Sequence, residues 1–343
     1  MLDDLQKIHE RDAQDALGNA GRQWDCLRAD FSAAFKPSGD IANVVLAGMG
    51  GSALPGVLLG SWPGLSVPFE GVRDYTLPAY VDSRTLVILS SYSGNTEETL
   101  SALAQAEERG AQIVAVAAGG KLADAARAKG YALFEIPATG IQPRMATFYF
   151  WNAFIKILAP LGLTVQDPAE LGVVAEWVRD QIKTWEPTVP TTQNQAKQIA
   201  QELMGKTVIV YSGPKLFPAA NRWKICINEN AKNLAWSGQY PELNHNEFLG
   251  WSGHPVEKPF AVVEIRSNLE HPRTQKRFEV SERLLSGMRP APLVVTPAGD
   301  TLLQQLAWAV VLGDFVSIYL GLLNGVNPTP IELVEKFKTA LDA

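Results

Sequence analysis

The sequence predicts an α/β protein with two doubly wound parallel sheets, each in a three-layer α/β/α arrangement, and extra helices at both ends. Three observations lead there. Short β-branched runs, "NVVLAG", "TLVILSS", "QIVAVAA" and "ALFEIP", follow one another from residue 43 and are separated by stretches long enough for crossover helices, which is the grammar of a parallel sheet. After a mostly helical interval the grammar restarts with "KTVIVYSGPKLFPAA", "FAVVEIRS" and "APLVVTPAG". The stretches "NVVLAGMGGSALPG" and "KTVIVYSGPKLFPAA" both read strand, glycine turn, helix, so the chain looks like two copies of one α/β unit.

Taken in order, residues 1–40 form an N-terminal helical segment in which charged and apolar positions alternate at helical spacing, with Leu5, Ile8, Ala13, Leu17 and Trp24 as candidate buried contacts. Residues 41–150 hold the first sheet domain. Residues 151–204 are a helical connection, broken by the Pro/Thr-rich "EPTVPTTQNQ" at 186–195, where the passage between domains is placed. The second sheet domain spans 205–327, and a C-terminal helix, 328–343, carries Ile331, Val334, Phe337 and Leu341 on one face. The run "LAWAVVLGDFVSIYLGLLNGV", 306–326, approaches the length of a membrane span. Asp314 sits in its middle and no Lys/Arg cluster flanks it, so a buried core helix and no membrane partner are expected.

The 343 residues are 46% apolar and 19% charged, enough to fill the cores of two ordinary domains. A net charge of −6 and the absence of a basic run exclude a nucleic-acid backbone as the main partner, though a local pocket could still take a small anion. Cys26 and Cys226 are the two cysteines, and no signal-like apolar core opens the chain, so a cytoplasmic, disulfide-free protein is expected.

Two glycine-and-hydroxyl turns carry the chemistry. "GMGGSALPG", 48–56, invites a dinucleotide reading, but after Gly48 and Gly50 the third required glycine would be residue 53, which is Ala. A tight turn explains these glycines equally well. "SSYSGNTEETL", 90–100, occupies the equivalent turn after the next strand, at the carboxyl edge where open α/β sheets bind ligands. Ser91, Ser93 and Thr96 can each offer a hydroxyl, and Asn95 or Ser93 can cap the following helix. Such a cup, with Ser52 from the earlier turn, suits a phosphate monoester held by neutral donors. The plainer alternative, a cap plus a local hydroxyl turn, needs one hydroxyl and not three.

Residues 221–251 are the other dense region. Arg222 and Glu229 are seven apart and share a helix face, and Glu229 lies between Asn228 and Asn230 in an otherwise core-like helix. "PELNHNE" sets His245 among asparagines and close to Glu242 and Glu247. The four histidines, His9, His245, His254 and His271, form no H-x-H or H-x-x-x-H pair, so a Glu base with a His that handles a hydroxyl proton is favoured over a metal site.

The motifs "GMGGSA", "SYSGNTEET", "GIQPRMA", "NENAKN" and "PELNHNE", in this order and spacing, resemble the bifunctional phosphoglucose/phosphomannose isomerases, which are built from two sugar-isomerase (SIS) domains. The likeness runs from about residue 43 to the C-terminus. It implies that the phosphate of a hexose 6-phosphate sits on Ser91, Ser93 and Thr96, with Ser52 and the backbone at Gly51 close to the sugar. It further implies that Arg144 of "QPR" stabilises charge on the enediolate oxygens and that Glu229 of "NENAK" is the base. His245 matches the ring-opening histidine, which in this family reaches the site from the neighbouring subunit, so a homodimer is implied. The family's lysine in the last helix corresponds to Lys336 or Lys338, and Lys338 is chosen because Phe337-Lys338 fits the usual Leu-Lys pair. Met145 stands where a small residue is usual, and "AAGGKL" at 117–122 is a variant of a Ser/Thr-Gly-Gly turn.

The expected reaction is therefore aldose–ketose isomerisation of glucose 6-phosphate and mannose 6-phosphate with fructose 6-phosphate, without metal or other cofactor, through a cis-enediol(ate). A non-catalytic phosphosugar-binding SIS protein would need the cup but not Glu229, Arg144 and His245. An isomerase of a different sugar phosphate is the remaining alternative.

Overall fold

A computed structural model describes residues 1–253 and 259–341, and His254 lies outside them. The chain divides into two compact units, one spanning Arg22–Glu176 and the other joining Met1–Gly21 to the chain from Trp177 onward. The division falls inside the helix Glu170–Ile182, ahead of the Pro/Thr-rich stretch.

In the unit Arg22–Glu176 the strands are β1 (Asn43–Gly48), β2 (Phe69–Val72), β3 (Thr85–Ser91), β4 (Gln112–Ala117) and β5 (Ala132–Glu135). They pair in parallel in the order β2-β1-β3-β4-β5. Every residue of β3 and β4 is buried, as a parallel strand covered on both faces requires, which explains the unbroken apolar runs. On one face Val45, Ala47, Val87 and Leu89 form a core with Leu103 and Ala106 of the helix Glu97–Glu108 and Leu122 and Ala126 of the helix Gly120–Lys129. On the other face Leu46 meets the helix Gly50–Ser61 at Gly56. That helix packs on the aromatic-rich helix Thr147–Leu158, where Trp151 lies edge-on to Trp62 and donates to its carbonyl at 3.1 Å.

The other unit holds β6 (Thr207–Ser212), β7 (Ala235–Gln239), β8 (Phe260–Ile265) and β9 (Leu293–Val295), again all parallel, in the order β7-β6-β8-β9. The strand order of the first sheet is thus repeated over four strands. In each sheet the strand order reverses at β1/β3 and at β6/β8, and the carboxyl ends at such a switch point are where open α/β sheets bind ligands. The sequence reading lacks β2 and β7. Both are edge strands with interrupted apolar patterns, "FEGV" and "AWSGQ", in which one and two residues respectively are buried.

The apolar run near 306 belongs to the helix Leu302–Leu323, opened by a capping box between Thr301 and Gln304. It is long and apolar enough to cross a membrane, yet 94% of its most apolar window is buried within the protein, as a core helix is. Asp314 at its centre is fully buried and meets the equally buried Arg222 of the helix Phe217–Ala231, with Nη2 at 2.7 Å and Nε at 2.9 Å. Burial opposes the charge on Arg222, and the Asp314 carboxylate beside it more than restores it. Trp223 Nε1 donates to Ala309 O at 2.7 Å and Asn230 Nδ2 to Ser317 Oγ at 2.8 Å, so the two helices are fastened at three levels.

The N-terminal segment is three short helices, Leu5–Arg11, Ala16–Gly21 and Gln23–Cys26, followed by irregular chain up to β1. The break has a local cause: the buried Asp12 carboxylate accepts the N–H groups of Ala16 at 2.7 Å and Leu17 at 2.9 Å and so starts a second helix. Ile8 and Leu17 are buried as expected, whereas Leu5 and Ala13 are exposed and Trp24 is half-buried. The last helix, Glu332–Leu341, has no buried residue, and Val334, Phe337 and Leu341 all face outward.

Replacing Asp314 by Leu leaves Arg222 as a buried charge without its counter-ion. The variant is expected to lose about 3–5 kcal/mol of stability, read from urea denaturation midpoints at constant m-value.

Candidate active site

The two turns at the carboxyl ends of β1 and β3 are tied to each other. Gly48 and Ser90 are register partners, Ser90 Oγ donates to Ser52 O at 2.8 Å, and the Tyr92 N–H donates to Ser52 Oγ at 3.0 Å. Ser52 lies in the first turn of the helix Gly50–Ser61 and is 5% exposed. In the second turn Ser91 Oγ accepts the Gly94 N–H at 3.0 Å and is hydrogen-bonded to Thr96 Oγ1 at 2.8 Å, either hydroxyl being able to donate. Ser93 Oγ accepts the Asn95 N–H at 3.2 Å. Two hydroxyls, Ser91 and Ser93, therefore shape the turn itself, one more than the plainer reading required, while Ser93 remains exposed and Thr96 half-exposed at its rim.

Neither Ser93 nor Asn95 caps the helix Glu97–Glu108, which begins after Thr96 without a side-chain cap. Asn95 Oδ1 instead accepts the Lys121 N–H at 3.1 Å and so holds the start of the helix Gly120–Lys129. This corrects the capping expectation: a residue already committed to the neighbouring turn cannot fold back on its own helix.

Arg144 joins this group through its backbone. It lies in the 3₁₀ turn Pro143–Ala146, is 2% exposed, and its backbone runs so close to Gly51 that a methyl group on Gly51 would fall 2.8 Å from the Arg144 Cα. Glycine at 51 is thus a space requirement. Gly51, Ser52, Ser91, Ser93, Thr96 and Arg144 all belong to the unit Arg22–Glu176 and gather at one sheet edge.

Glu229, His245 and Lys338 lie on three separate elements of the other unit. Glu229 is half-buried near the end of the helix Phe217–Ala231, and its neighbours explain the polar cluster seen in the sequence. Asn228 clasps Ala235, accepting its N–H at 3.0 Å and donating to its carbonyl at 3.3 Å, which fixes the helix end to β7. Asn230 holds the core helix, and Lys232 Nζ donates to Glu229 O at 2.8 Å and to Asn327 O and Pro328 O at 3.1 Å. Arg222, read from sequence as a face-mate of Glu229, is committed to Asp314 in the core. His245 ends the 3₁₀ turn Glu242–His245 and is exposed, with no side-chain hydrogen bond or ion pair to the described residues. Lys338 is exposed and pairs with Glu335 at 2.9 Å, and Lys336 is exposed as well.

The equivalent edge of the second sheet is occupied differently. After β8, the Glu270 carboxylate turns back, accepts the Lys215 N–H at 2.8 Å together with the Leu216 N–H, and is 4% exposed. Burial raises its pKa above the usual carboxylate range even with these donors present.

Residues 192–341 match the bacterial phospho-glucose isomerase C-terminal SIS domain, and residues 65–148 match the SIS domain family. A bifunctional phosphoglucose/phosphomannose isomerase of Caldicellulosiruptor bescii is 37% identical over 88% of this chain and 90% of its own. A D-glucosamine-6-phosphate 4-epimerase of Sulfolobus acidocaldarius is 36% identical over 94% of this chain and 97% of its own. Among solved structures, a glucose-6-phosphate isomerase like protein from Thermus thermophilus covers 98% of each chain with a TM-score of 0.66 at 18% identity, a likeness of fold alone. With two SIS-type sheets in one chain and this degree of identity over nearly its full length, the chain belongs to the bifunctional phosphoglucose/phosphomannose isomerase family.

Proposed function

We propose that the protein interconverts glucose 6-phosphate and mannose 6-phosphate with fructose 6-phosphate by proton transfer through a cis-enediol(ate). The observation that carries this reading is the pair of interlocked hydroxyl turns at β1 and β3, with the Arg144 backbone pressed against Gly51. Serine and threonine hydroxyls and backbone N–H groups suit a phosphate monoester, and Ser91, Ser93, Thr96, Ser52 and the Gly51 backbone are assigned to it. Holding the remote phosphate orients a weak carbon acid and converts binding energy into a lower barrier at C2.

His245 and Lys338 assist opening of the cyclic sugar by moving the proton between the anomeric hydroxyl and the ring oxygen. Glu229 then removes the proton at C2, the C–H electron pair forms the C1=C2 bond, and the aldehyde oxygen takes the charge or a proton. Arg144 offsets that charge. Transfer of the O2 proton to O1 lets C2=O form as the C1=C2 electron pair takes the returning proton at C1, which gives the ketose, and presentation of either face of C2 to the base accounts for both aldoses. No metal or organic cofactor enters the scheme. By likeness to the family, His245, which is exposed, is assigned to the site of a second copy, so the active species is a homodimer, and the protein is assigned to the cytoplasm.

The second reading, reaction of a different sugar phosphate, is favoured by the 36% identity to the D-glucosamine-6-phosphate 4-epimerase. The decisive assay presents fructose 6-phosphate and glucosamine 6-phosphate separately, with and without chelator. Formation of glucose and mannose 6-phosphates in chelator supports the proposal. Conversion of glucosamine 6-phosphate alone transfers the site to the second reading.

Glu229→Gln is expected to bind fructose 6-phosphate with unchanged affinity by calorimetry while turnover falls about 10²-fold or more. Replacing both Ser93 and Thr96 by Ala is expected to raise KM about a hundredfold or more, each of the two lost hydrogen bonds to the charged phosphate being worth about 1.5–3 kcal/mol.

A further inference from the structure

The segment that carries His245 is fastened far more firmly than an exposed turn needs to be. Leu243, two residues before it, and Trp251, six after it, are buried in a satellite core with Tyr211, Tyr240, Val262, Phe278 and Leu285, and Phe248 packs against it. The polar side chains between these anchors are also engaged. Asn244 Nδ2 donates to the buried Ser281 Oγ at 2.9 Å, and Arg277 Nη1 donates to Asn244 Oδ1 at 3.1 Å, so the residue before His245 is pinned to the helix Pro272–Leu284.

On the other side, the Tyr211 hydroxyl at the end of β6 donates to Glu247 Oε2 at 2.8 Å and accepts from Trp251 Nε1 at 3.2 Å. Tyr211 is 1% exposed, so this hydroxyl has no water to exchange for its partners. The lock crosses β7 at Gly238, where a methyl group would lie 2.7 Å from the Tyr211 ring and 3.0 Å from Glu247 Oε1. Gly238 is therefore the gap that lets tyrosine and glutamate meet. Tyr240, which opens the segment, donates to the buried Glu264 at 3.1 Å, itself held by Arg289 at 2.6 Å. Among the polar side chains of the segment, His245 is exposed without a hydrogen-bond or ion-pair partner among the described residues.

We infer that Tyr211, Glu247 and Asn244 are positioning residues that hold the backbone at His245 in the place its proton transfer requires. The inference rests on the reading of His245 as the ring-opening histidine. A side chain that must act on a second copy cannot be placed by it beforehand, so the placement has to come from the loop's own attachments. Asn244 fixes the approach from one side and the Tyr211–Glu247 bond fixes the exit, which leaves the imidazole little freedom beyond its own side-chain torsions.

The test compares Tyr211→Phe, Glu247→Ala and Glu247→Gln with His245→Ala, all in the full-length protein, measuring kcat and KM for fructose 6-phosphate separately. Tyr211→Phe and Glu247→Ala are expected to lower kcat about 10- to 100-fold, the scale of a small misplacement of a catalytic group, with KM unchanged. Glu247→Gln keeps an acceptor for the tyrosine and is expected to retain most of the turnover. Added to His245→Ala, neither Tyr211→Phe nor Glu247→Ala is expected to slow the enzyme further. Hydrogen exchange in residues 242–250 should speed up in the two loosened variants.

Full turnover in Tyr211→Phe and Glu247→Ala, a further loss on top of His245→Ala, or equal damage from Glu247→Gln would overturn the inference. Glu247 is on the surface, so its variants decide the matter even if Tyr211→Phe does not fold. Wild-type turnover in His245→Ala is a different result: it removes the role of His245 itself.

Discussion

A carboxylate in the middle of the most apolar helix of this chain is tolerable only because a guanidinium meets it there. Asp314 and Arg222 are both fully buried, and an isolated charge at that depth would cost several kcal/mol. The pair does more than cancel charge. Because Arg222 stands near the start of the helix Phe217–Ala231 and Asn230 near its end, the polar contacts to the core helix fix both its rotation and its axial position. Rotation matters most for Glu229, since a turn of one residue, about 100°, would carry it from the half-buried edge into the core or out to solvent.

At the other candidate centre, in the unit Arg22–Glu176, stiffness comes from short-range hydroxyl bonds. Ser91, Thr96, Ser93 and Ser52 spend part of their hydrogen-bonding capacity on the two turns, yet a hydroxyl that accepts one N–H still has a proton and a second lone pair to offer. A turn built this way is shaped before any ligand arrives, so little ordering entropy opposes binding. Charged side chains could attract an anion more strongly, whereas these neutral donors are already held in place by the turns they shape.

The sequence was most informative where both faces of an element are covered. β1, β3, β4, β6 and β8 read as unbroken apolar runs because helices pack on both sides of them, and the glycine turns that follow mark the sheet edge. β2 and β7 were not legible, since an edge strand needs only a residue or two facing the core. Asp314 was visible as an anomaly, but its partner is 92 residues away and nothing local points to Arg222. Asn228 and Asn230 stood out beside Glu229 for a reason that only the tertiary contacts reveal: each holds a different neighbour. The attachment of "PELNHNE" to Tyr211 was hidden for the same reason, with the two ends of the bond 36 residues apart.

Glu270 bears on how a duplicated unit divides its labour. The two sheets share a strand order, and each offers backbone N–H groups at its switch point, so a tandem repeat starts with two places for an anion. In the second sheet a single acidic side chain sits in that place as a permanent resident, covalently tethered and therefore present at an effective concentration no solute matches. One residue is enough to fill that place, and it closes this edge of the second sheet to an anion from solution.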